Sequence, residues 1–223
     1  VSVEGIEIDA ENFFLQSQRL SKNIDTHDRL DLSTRKNPLK MLGGVLLSRA
    51  LRSPLHYGNF LDDLYILAKS KHVLFMSNSP ALQNKIDRLG LSQQLKMPSD
   101  SSDFLHVNIA NIGGRKSDRY LRTAFSYLAD FSGEAQGEGT LRISLEHLGG
   151  YNIQSDIYQA FLRLYAPKGS KLLDAKGKTL TITETGTELG FTVFSDLIRL
   201  KPGESLELNY RYRLPEAISQ NDY

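Results

Sequence analysis

The residues best suited to chemistry lie in one short connection, Asn111-Ile112-Gly113-Gly114-Arg115-Lys116-Ser117-Asp118. Two adjacent glycines let the backbone turn where a Cβ would clash, and they let backbone N–H groups approach an anion. The two cations that follow could hold a phosphate or a carboxylate. We therefore predict an anion site made of Asn111, Gly113, Gly114, Arg115, Lys116 and Asp118. The same pattern also fits a tight or bulged turn whose charges are solvated, and the sequence leaves both interpretations open.

No group of residues in the sequence forms a complete catalytic or metal-binding pattern. The five histidines are His27, His56, His72, His106 and His147. None lies four residues from another and there is no HExxH motif, so no metal site is predicted. The absence of cysteine excludes disulfides, thiolate catalysis and cysteine-ligated metals. We predict no catalytic residue, no metal and no cofactor, and whether the chain is an enzyme stays open.

Helical spacing dominates the first part of the chain. Helices are predicted from Ala10 to about Asn23, from Asn37-Pro38 onward, over Asn59–Ser70, and from Ser79-Pro80 to Gly90. Strands are predicted at residues 1–8 and 72–76. The pair Gly43-Gly44 inside the second helix predicts a notch for close packing, since each glycine weakens a helix by about 1 kcal/mol relative to alanine.

From residue 103 onward, apolar residues alternate with polar ones, which is the period of a β-strand. The predicted strands contain residues 105–109, 121–129, 141–145, 158–164, 180–182, 191–193 and 206–214. Short alternating strands separated by turn residues indicate an antiparallel β-sandwich. Tyrosines in this region could line a carbohydrate face, but at this period they more often pack in the core or pair across strands. They are Tyr120, Tyr127, Tyr158, Tyr165, Tyr210 and Tyr212.

Composition narrows the possible partners. The chain has 223 residues, of which 40% are hydrophobic and 24% are charged, as in an ordinary globular protein. The net charge of +1 gives no reason to expect nucleic acid as a partner. No apolar run of about 18 residues is present to span a bilayer. Because Val1 opens inside a predicted strand, we expect the chain to be part of a longer protein.

Several segments in order carry a family resemblance. They are VSVEGIEIDAENFF, VLFMSNSPALQNKIDRLG, DFLHVNIANIGGRKSDRYL, YQAFLRLYAPKGSKLL and GFTVFSDLIRLKPGESLELNYRYRLP. Together they resemble the bacterial domain-of-unknown-function family numbered 4012, and the NxGGxKSDxYL stretch at residues 111–121 is the most specific part. The resemblance implies a cell-envelope protein whose N-terminal membrane anchor is absent from this chain and whose present portion is extracytoplasmic.

The same resemblance implies little about activity, because the family has no established biochemical function. Its upstream part looks in outline like the LytR-CpsA-Psr phosphotransferases, which attach glycopolymers to the cell wall. The acting Arg and Asp residues of those enzymes would lie upstream of Val1, so none is carried over to this chain.

We therefore expect an α+β chain in three parts. Residues 1–95 form a mainly helical portion with short strands, residues 103–215 form an antiparallel β-sandwich of Ig-like or related type, and residues 216–223 form a tail. The expected function is an extracytoplasmic binding or scaffolding module of a cell-envelope protein. Its expected partner is an envelope glycan or another envelope protein, with membrane contact only through the absent anchor. The alternatives are a fragment of an enzyme distantly like the LytR-CpsA-Psr phosphotransferases and a structural spacer.

Overall fold

The chain divides near residue 95, where the spacing of its apolar residues changes. The two compact units are Val1–Gln94, which holds the helices, and Leu95–Tyr223, which holds two four-stranded antiparallel sheets. The computed structural model describes residues 1–3, 5–22, 37–52, 57–92, 94–95, 99, 101–133, 136–152, 154–177 and 184–219. The fold is α+β, with helices before sheets, as predicted. Among the described ranges, no helix is both long and apolar enough to cross a membrane.

The helical unit begins with a hairpin instead of the single strand predicted for residues 1–8. In it, β1 (Ser2–Val3) pairs antiparallel with β2 (Ile6–Glu7). Gly5 between them has a positive φ of 77°, which glycine adopts without strain. The helices that follow are α1 (Phe13–Lys22), α2 (Asn37–Arg52), α3 (Tyr57–Lys69) and α4 (Pro80–Arg88).

The first helix begins three residues later than predicted because two polar side chains hold the preceding turn. The carboxylate of Asp9 accepts from the backbone N–H of Asn12 at 2.8 Å, and the amide oxygen of Asn12 accepts from the N–H of Asp9 at 3.1 Å. This reciprocal pair satisfies backbone donors that have no partner inside the helix. The cap predicted at Asp9 is therefore present, but it closes a turn ahead of α1.

The buried core of the helical unit is small. Val3, Ile8, Leu20 and Leu42 form its buried cluster. Much apolar surface on α2 and α3 stays exposed, with more than half of the side chain accessible at Met41, Leu47, Leu61, Tyr65 and Ile66. A Cβ added at Gly43 or Gly44 would meet nothing within 4 Å. The close packing predicted at this glycine pair is therefore wrong within the part of the chain that the structure describes.

The strand predicted at residues 72–76 is also wrong. These residues form an irregular connection between α3 and α4, and Met76 is 86% exposed. The N–H of Phe75 donates to the carbonyl of Leu91 at 3.1 Å, but no ladder of strand bonds extends from it among the described residues. An apolar run alone does not make a strand, because a strand also needs a neighbour for its backbone groups.

Strands fill the second unit. They are β3 (His106–Asn111), β4 (Leu121–Asp130), β5 (Glu138–His147), β6 (Tyr158–Ala166), β7 (Lys171–Lys176), β8 (Glu184–Glu188), β9 (Phe191–Leu200) and β10 (Ser205–Arg213). The sequence analysis missed β7 and β8, because half of the residues of β7 are charged and β8 has no apolar residue. The strand predicted at residues 180–182 lies outside the described residues.

The strands form two sheets, with the orders β4-β5-β10-β7 and β3-β6-β9-β8, and every pairing is antiparallel. Side chains of β5 and β10 from one sheet and of β6 and β9 from the other belong to a single buried cluster. Each large apolar side chain that is fully buried there contributes about 1.5–3 kcal/mol. Ile218 belongs to the same cluster, so the tail predicted at residues 216–223 packs against the core at Ile218.

Tyrosine hydroxyls that donate to carboxylates recur in this unit. Tyr127 donates to Asp103 at 2.6 Å, Tyr158 to Asp118 at 3.1 Å, Tyr165 to Glu188 at 3.1 Å and Tyr210 to Asp196 at 2.7 Å. Burial is the largest cause that raises the pKa of all four hydroxyls, and the carboxylates raise it further. These tyrosines therefore stay protonated as donors inside the fold and do not form an open carbohydrate face.

The connection between β8 and β9 contains a strained leucine. Its two residues, Leu189 and Gly190, have φ values of 53° and 85°, and the flanking pair Glu188 and Phe191 closes the hairpin. Two positive φ values in a two-residue loop are typical of a type I′ turn, which favours Asn-Gly. A β-carbon makes this backbone region unfavourable by about 1–2 kcal/mol, and Leu189 is 70% exposed, so its side chain gains little burial in return.

Removing the hydroxyl of Tyr210 should destabilise the second unit. Tyr210→Phe leaves the buried Asp196 without this donor, and we expect the free energy of unfolding to fall by about 1–3 kcal/mol. Urea unfolding followed by circular dichroism measures the change. Tyr151→Phe is the matched control, because Tyr151 is 65% exposed, and its effect should stay within about 0.5 kcal/mol. Equal effects of the two variants would contradict the role given to the bond.

Replacing Leu189 should stabilise the same unit. We expect Leu189→Asn to raise the free energy of unfolding by about 1 kcal/mol, because asparagine tolerates positive φ better than leucine does. The control is Leu173→Asn in β7, where the backbone is extended and asparagine disfavours the strand. A loss of stability in Leu189→Asn, in the same urea experiment, would show that the leucine side chain makes a contact that the turn strain hides.

Candidate functional site

Three connections of the second unit meet at one end of its sheets. They are residues 112–120 between β3 and β4, residues 148–157 between β5 and β6, and residues 201–204 between β9 and β10. Backbone bonds tie them together, from Lys116 N to Gln154 O at 2.8 Å, from Leu148 N to Tyr120 O at 2.7 Å and from Gly203 N to His147 O at 2.8 Å. We call these connections the loop end, and they contain most of the predicted anion site.

Asn111 organises the first of these connections. Its side-chain oxygen accepts from the N–H of Gly113 at 2.9 Å, and its side-chain nitrogen donates to the carbonyl of Arg115 at 3.2 Å and to the carboxylate of Asp118. One amide side chain therefore closes the turn and holds the acid at its far end. The positive φ of Gly114, 74°, lets the chain pass between them.

Three backbone N–H groups in this connection have partners elsewhere in the second unit. The N–H groups of Ile112 and Gly113 donate to the carbonyl of Gln159 at 2.8 and 3.2 Å, and the N–H of Lys116 donates to Gln154. These donors face the body of the unit and are not aimed at solvent. An anion at this connection would therefore depend on the side chains of Arg115 and Lys116 and on other backbone N–H groups. The predicted cradle of backbone amides stays a prediction, and these three donors are not part of it.

The acid of the predicted site is also held in place. Asp118 accepts from Asn111 on one carboxylate oxygen and from the hydroxyl of Tyr158 on the other. Arg115 lies 3.9 Å from the carboxylate of Asp156, and both side chains are nearly half exposed. The structure therefore brings Asn111, Gly113 and Asp118 into one network, and it leaves the side chains of Arg115 and Lys116 at the surface.

A buried histidine forms hydrogen bonds to the backbone of the loop end. His147 is fully buried, its Nδ1 accepts from the N–H of Gly149 at 3.1 Å, and its Nε2 lies 2.9 Å from the carbonyl of Asp156. Nε2 therefore carries the proton and donates. With both ring nitrogens occupied, His147 has no nitrogen left for proton transfer or metal binding, so its role is structural.

Ser117 also forms hydrogen bonds that hold the backbone of the loop end. Its buried hydroxyl donates to the carbonyl of Asp156 at 3.1 Å and accepts from the N–H of Asp156 at 3.2 Å. The sequence analysis missed both Ser117 and His147. His147 lies in phase with the buried Leu141, Ile143 and Leu145 of β5, so strand alternation already marked it as an inward residue. No comparable sequence signal marked Ser117.

His106, the other histidine of the second unit, does not reach the loop end. His106 opens β3, at the opposite end of that strand, and its ring lies 5.7 Å from the ring of Tyr165. Burial lowers the pKa of His106, so it is largely neutral at pH 7. His27 and His56 lie outside the described residues. No group of three or more metal-binding side chains occurs in the ranges that the structure describes.

Exposed apolar side chains distinguish the surface of the loop end. Ile112 is 56% exposed, Leu148 is 54% exposed and Tyr151 is 65% exposed. Asn152 shapes the turn after Tyr151, because its side-chain oxygen accepts from the N–H groups of Gln154 and Ser155 at 2.8 and 2.9 Å. The surface thus combines apolar side chains on fixed loops with the cations of the first connection.

Two adjacent glycines offer a matched test of how tightly the loop end is built. A Cβ at Gly149 would overlap the hydroxyl of Ser155 and lie 2.9 Å from His147 Cε1, whereas a Cβ at Gly150 would meet nothing within 4 Å. We expect Gly149→Ala to lower the free energy of unfolding by about 1–3 kcal/mol through overpacking. Gly150→Ala should change it by no more than about 0.5 kcal/mol. Urea unfolding measures both changes. Equal effects would mean that the loops shift easily to accept the added methyl group at residue 149.

No protein-family model, no curated protein and no solved structure matches this chain. The family resemblance stated from the sequence therefore remains an expectation.

Proposed function

We propose that this chain is an extracytoplasmic binding module of a bacterial cell-envelope protein, and that the loop end is its recognition surface. One observation carries the proposal. Hydrogen bonds between three connections hold exposed apolar side chains beside exposed cations. Fixed loops bind with little loss of conformational freedom, so their contacts yield more net affinity. The extracytoplasmic location rests on the family resemblance alone.

The chemistry of the surface suits an anionic envelope glycan. An aromatic ring such as that of Tyr151 offers an apolar face to a sugar, with a hydroxyl at its tip for a hydrogen bond. Arg115 and Lys116 offer charge-assisted bonds to the phosphates or carboxylates of the same polymer. The partial pairing of Arg115 with Asp156, at 3.9 Å and half exposed, contributes little and leaves the guanidinium able to turn to a ligand.

The geometry of the loop end fits ligand binding better than it fits catalysis. Asp118 is held by Asn111 and Tyr158, and both nitrogens of His147 are occupied. A general acid or base must reach the reacting proton directly or through one water. His147 is buried and does not reach the surface, and the exposed Asp118 already accepts a hydrogen bond on each carboxylate oxygen. The enzyme-fragment alternative would need its acting residues from outside this chain, and the spacer alternative needs no exposed recognition surface.

We also propose that the two sheets of the second unit pack face to face as a β-sandwich, which presents the loops at its end. The buried cluster that draws on both sheets supports this arrangement. The strand order differs from that of an immunoglobulin constant domain, in which the first two strands pair with each other, whereas β3 and β4 lie in different sheets. A related sandwich fits this order better than the immunoglobulin type does.

The helical unit offers a second surface, which suits scaffolding. The side chains of Met41 and Val45 on α2, and of Leu61 and Tyr65 on α3, are each more than a third exposed and stand four residues apart on their helix. Exposed apolar patches of this kind commonly mark protein–protein interfaces. Another envelope protein is the partner that this surface fits.

Calorimetric titration with poly(glycerol phosphate) teichoic acid tests the glycan proposal. We expect Arg115→Ala/Lys116→Ala to weaken binding about tenfold, which corresponds to about 1.4 kcal/mol, without a change in melting temperature. Lys171→Ala/Lys176→Ala is the matched control, because it removes two exposed charges from β7 and should leave the affinity unchanged. Tyr151→Ala should also weaken binding, since it removes the exposed ring.

Three outcomes would contradict the proposal. The first is equal binding by the wild type and the Arg115→Ala/Lys116→Ala variant. The second is no binding at all, which would favour the spacer. The third is a rise in melting temperature with pyrophosphate plus a divalent metal that disappears in Arg115→Ala, because ligands of the native state stabilise it by mass action. That last outcome would favour the enzyme-fragment alternative.

A further inference from the structure

Strand β4 lies at an open edge of its sheet. It has ten residues and pairs with β5 along its whole length, from Leu121 opposite His147 to Asp130 opposite Glu138. On its other side no strand pairs with it among the described residues. The outward N–H and C=O groups of such an edge can pair with another strand.

The edge has few of the features that usually prevent such pairing, since the charged residues of β4, Arg122 and Asp130, lie near its two ends. β4 contains no proline, lysine or glycine, and its register against β5 has no bulge. The opposite edge of the same sheet, β7, carries Lys171, Asp174 and Lys176, and its register against β10 shifts. Charged side chains and bulges are what proteins use to block edge pairing. One edge of this sheet is therefore protected and the other is open.

Apolar side chains are exposed on both faces of β4. Phe125 lies opposite Ile143, which is fully buried, yet Phe125 itself is 54% exposed. The face of the sheet that is buried at β5 is therefore partly exposed to solvent at β4. On the other face, Leu128 is 63% exposed. A neighbouring strand would remove both side chains from water, at a gain of about 25 cal/mol per Å² of apolar surface buried.

We infer that β4 pairs antiparallel with β4 of a second copy of this chain, about a two-fold axis at Ser126. Residues equidistant from Ser126 then lie opposite each other and on the same face. Arg122 faces the partner's Asp130, Ala124 faces the partner's Leu128, and Phe125 faces the partner's Tyr127. Opposite charges meet at both ends, and apolar and aromatic pairs fill the middle, which are the cross-strand combinations that stabilise sheets.

The charges favour this register over its neighbours. If the pairing slipped by two residues, Arg122 would face either the partner's Leu128 or a residue beyond the end of the partner's strand. In the single chain, Asp130 lies directly opposite Glu138, and like charges at such positions repel. The partner's Arg122 would offset that repulsion. Arg122 already bonds Glu146 at 2.8 Å, but a guanidinium has five N–H donors and can serve both acids.

The absence of cysteine allows a direct test with single-cysteine variants. At the proposed axis, the two copies of residue 126 are about 4.5–5.5 Å apart between Cα atoms, which is within disulfide reach. The two copies of residue 124 are about 14 Å apart along the strands, which is beyond that reach. We expect Ser126→Cys to form a disulfide dimer on oxidation and Ala124→Cys to form none. Ser144→Cys, one strand inside the edge, is a second control.

Sedimentation of the chain without cysteine measures the dimer itself. We expect a dimer in the wild type and at least a tenfold higher dissociation constant in Leu128→Lys, which places lysine on the edge. Leu173→Lys on β7 is the matched control, because it adds the same charge to the protected edge, and it should dimerise like the wild type. Combining Leu128→Lys with Ser126→Cys should abolish the disulfide.

Two results would overturn the inference. A wild-type chain that sediments as a monomer up to about 100 μM, which corresponds to a binding free energy weaker than about −5.5 kcal/mol, has no functional pairing at this edge. Equal cross-linking of Ser126→Cys and Ala124→Cys would show association without the proposed register. An unchanged far-ultraviolet circular dichroism spectrum of Leu128→Lys would show that any loss of dimer does not come from misfolding. Its melting temperature should fall, because association stabilises the native state.

Discussion

The second unit depends on a carboxylate that the fold buries. Asp196 of β9 is almost fully buried between Phe194 and Ile198, at a position where alternation would place an apolar residue. A buried charge without a partner costs several kcal/mol, so the structure must bring a donor to it. The hydroxyl of Tyr210, from the other sheet, supplies one at 2.7 Å. Because the bond joins the two sheets, it favours the alignment in which these two groups meet.

The same type of bond links the sheets to connecting segments at both of their ends. Tyr158 at the start of β6 reaches Asp118 in the first connection, and Tyr127 of β4 reaches Asp103 ahead of β3. Each bond joins a rigid strand to a segment outside regular structure. Once the strands are in register, these donors fix where the loops leave them. The surface of the loop end is therefore a consequence of the core, which is why we expect it to be rigid before any ligand arrives.

The two units differ in how much of their apolar surface they bury and in how firmly hydrogen bonds hold their loops. In the second unit, hydrogen bonds tie the loops down and one large cluster fills the interior. In the helical unit, the buried cluster is small and apolar side chains of α2 and α3 face solvent. In the second unit, which is otherwise well packed, the open edge of β4 likewise leaves apolar side chains and backbone groups exposed. The two exposed surfaces suit partners of different kinds. The apolar helices would bind a partner through side chains, whereas the open strand edge would bind one through backbone hydrogen bonds.

The sequence by itself determined that the helices precede the large sheets and where the glycine turn lies, because alternation and turn chemistry are local properties. It predicted β3, β4, β5, β6, β9 and β10 but missed β7 and β8, where charged or polar residues hide the period. Tertiary structure alone decided which polar groups face inward. Tyr158 and Asp118 are 40 residues apart, and Ser117 and Asp156 are 39 apart. Pairs so distant meet only through the register of the sheets, so no local pattern could show that Asn111 and Asp118 bond within the chain while Arg115 and Lys116 face solvent.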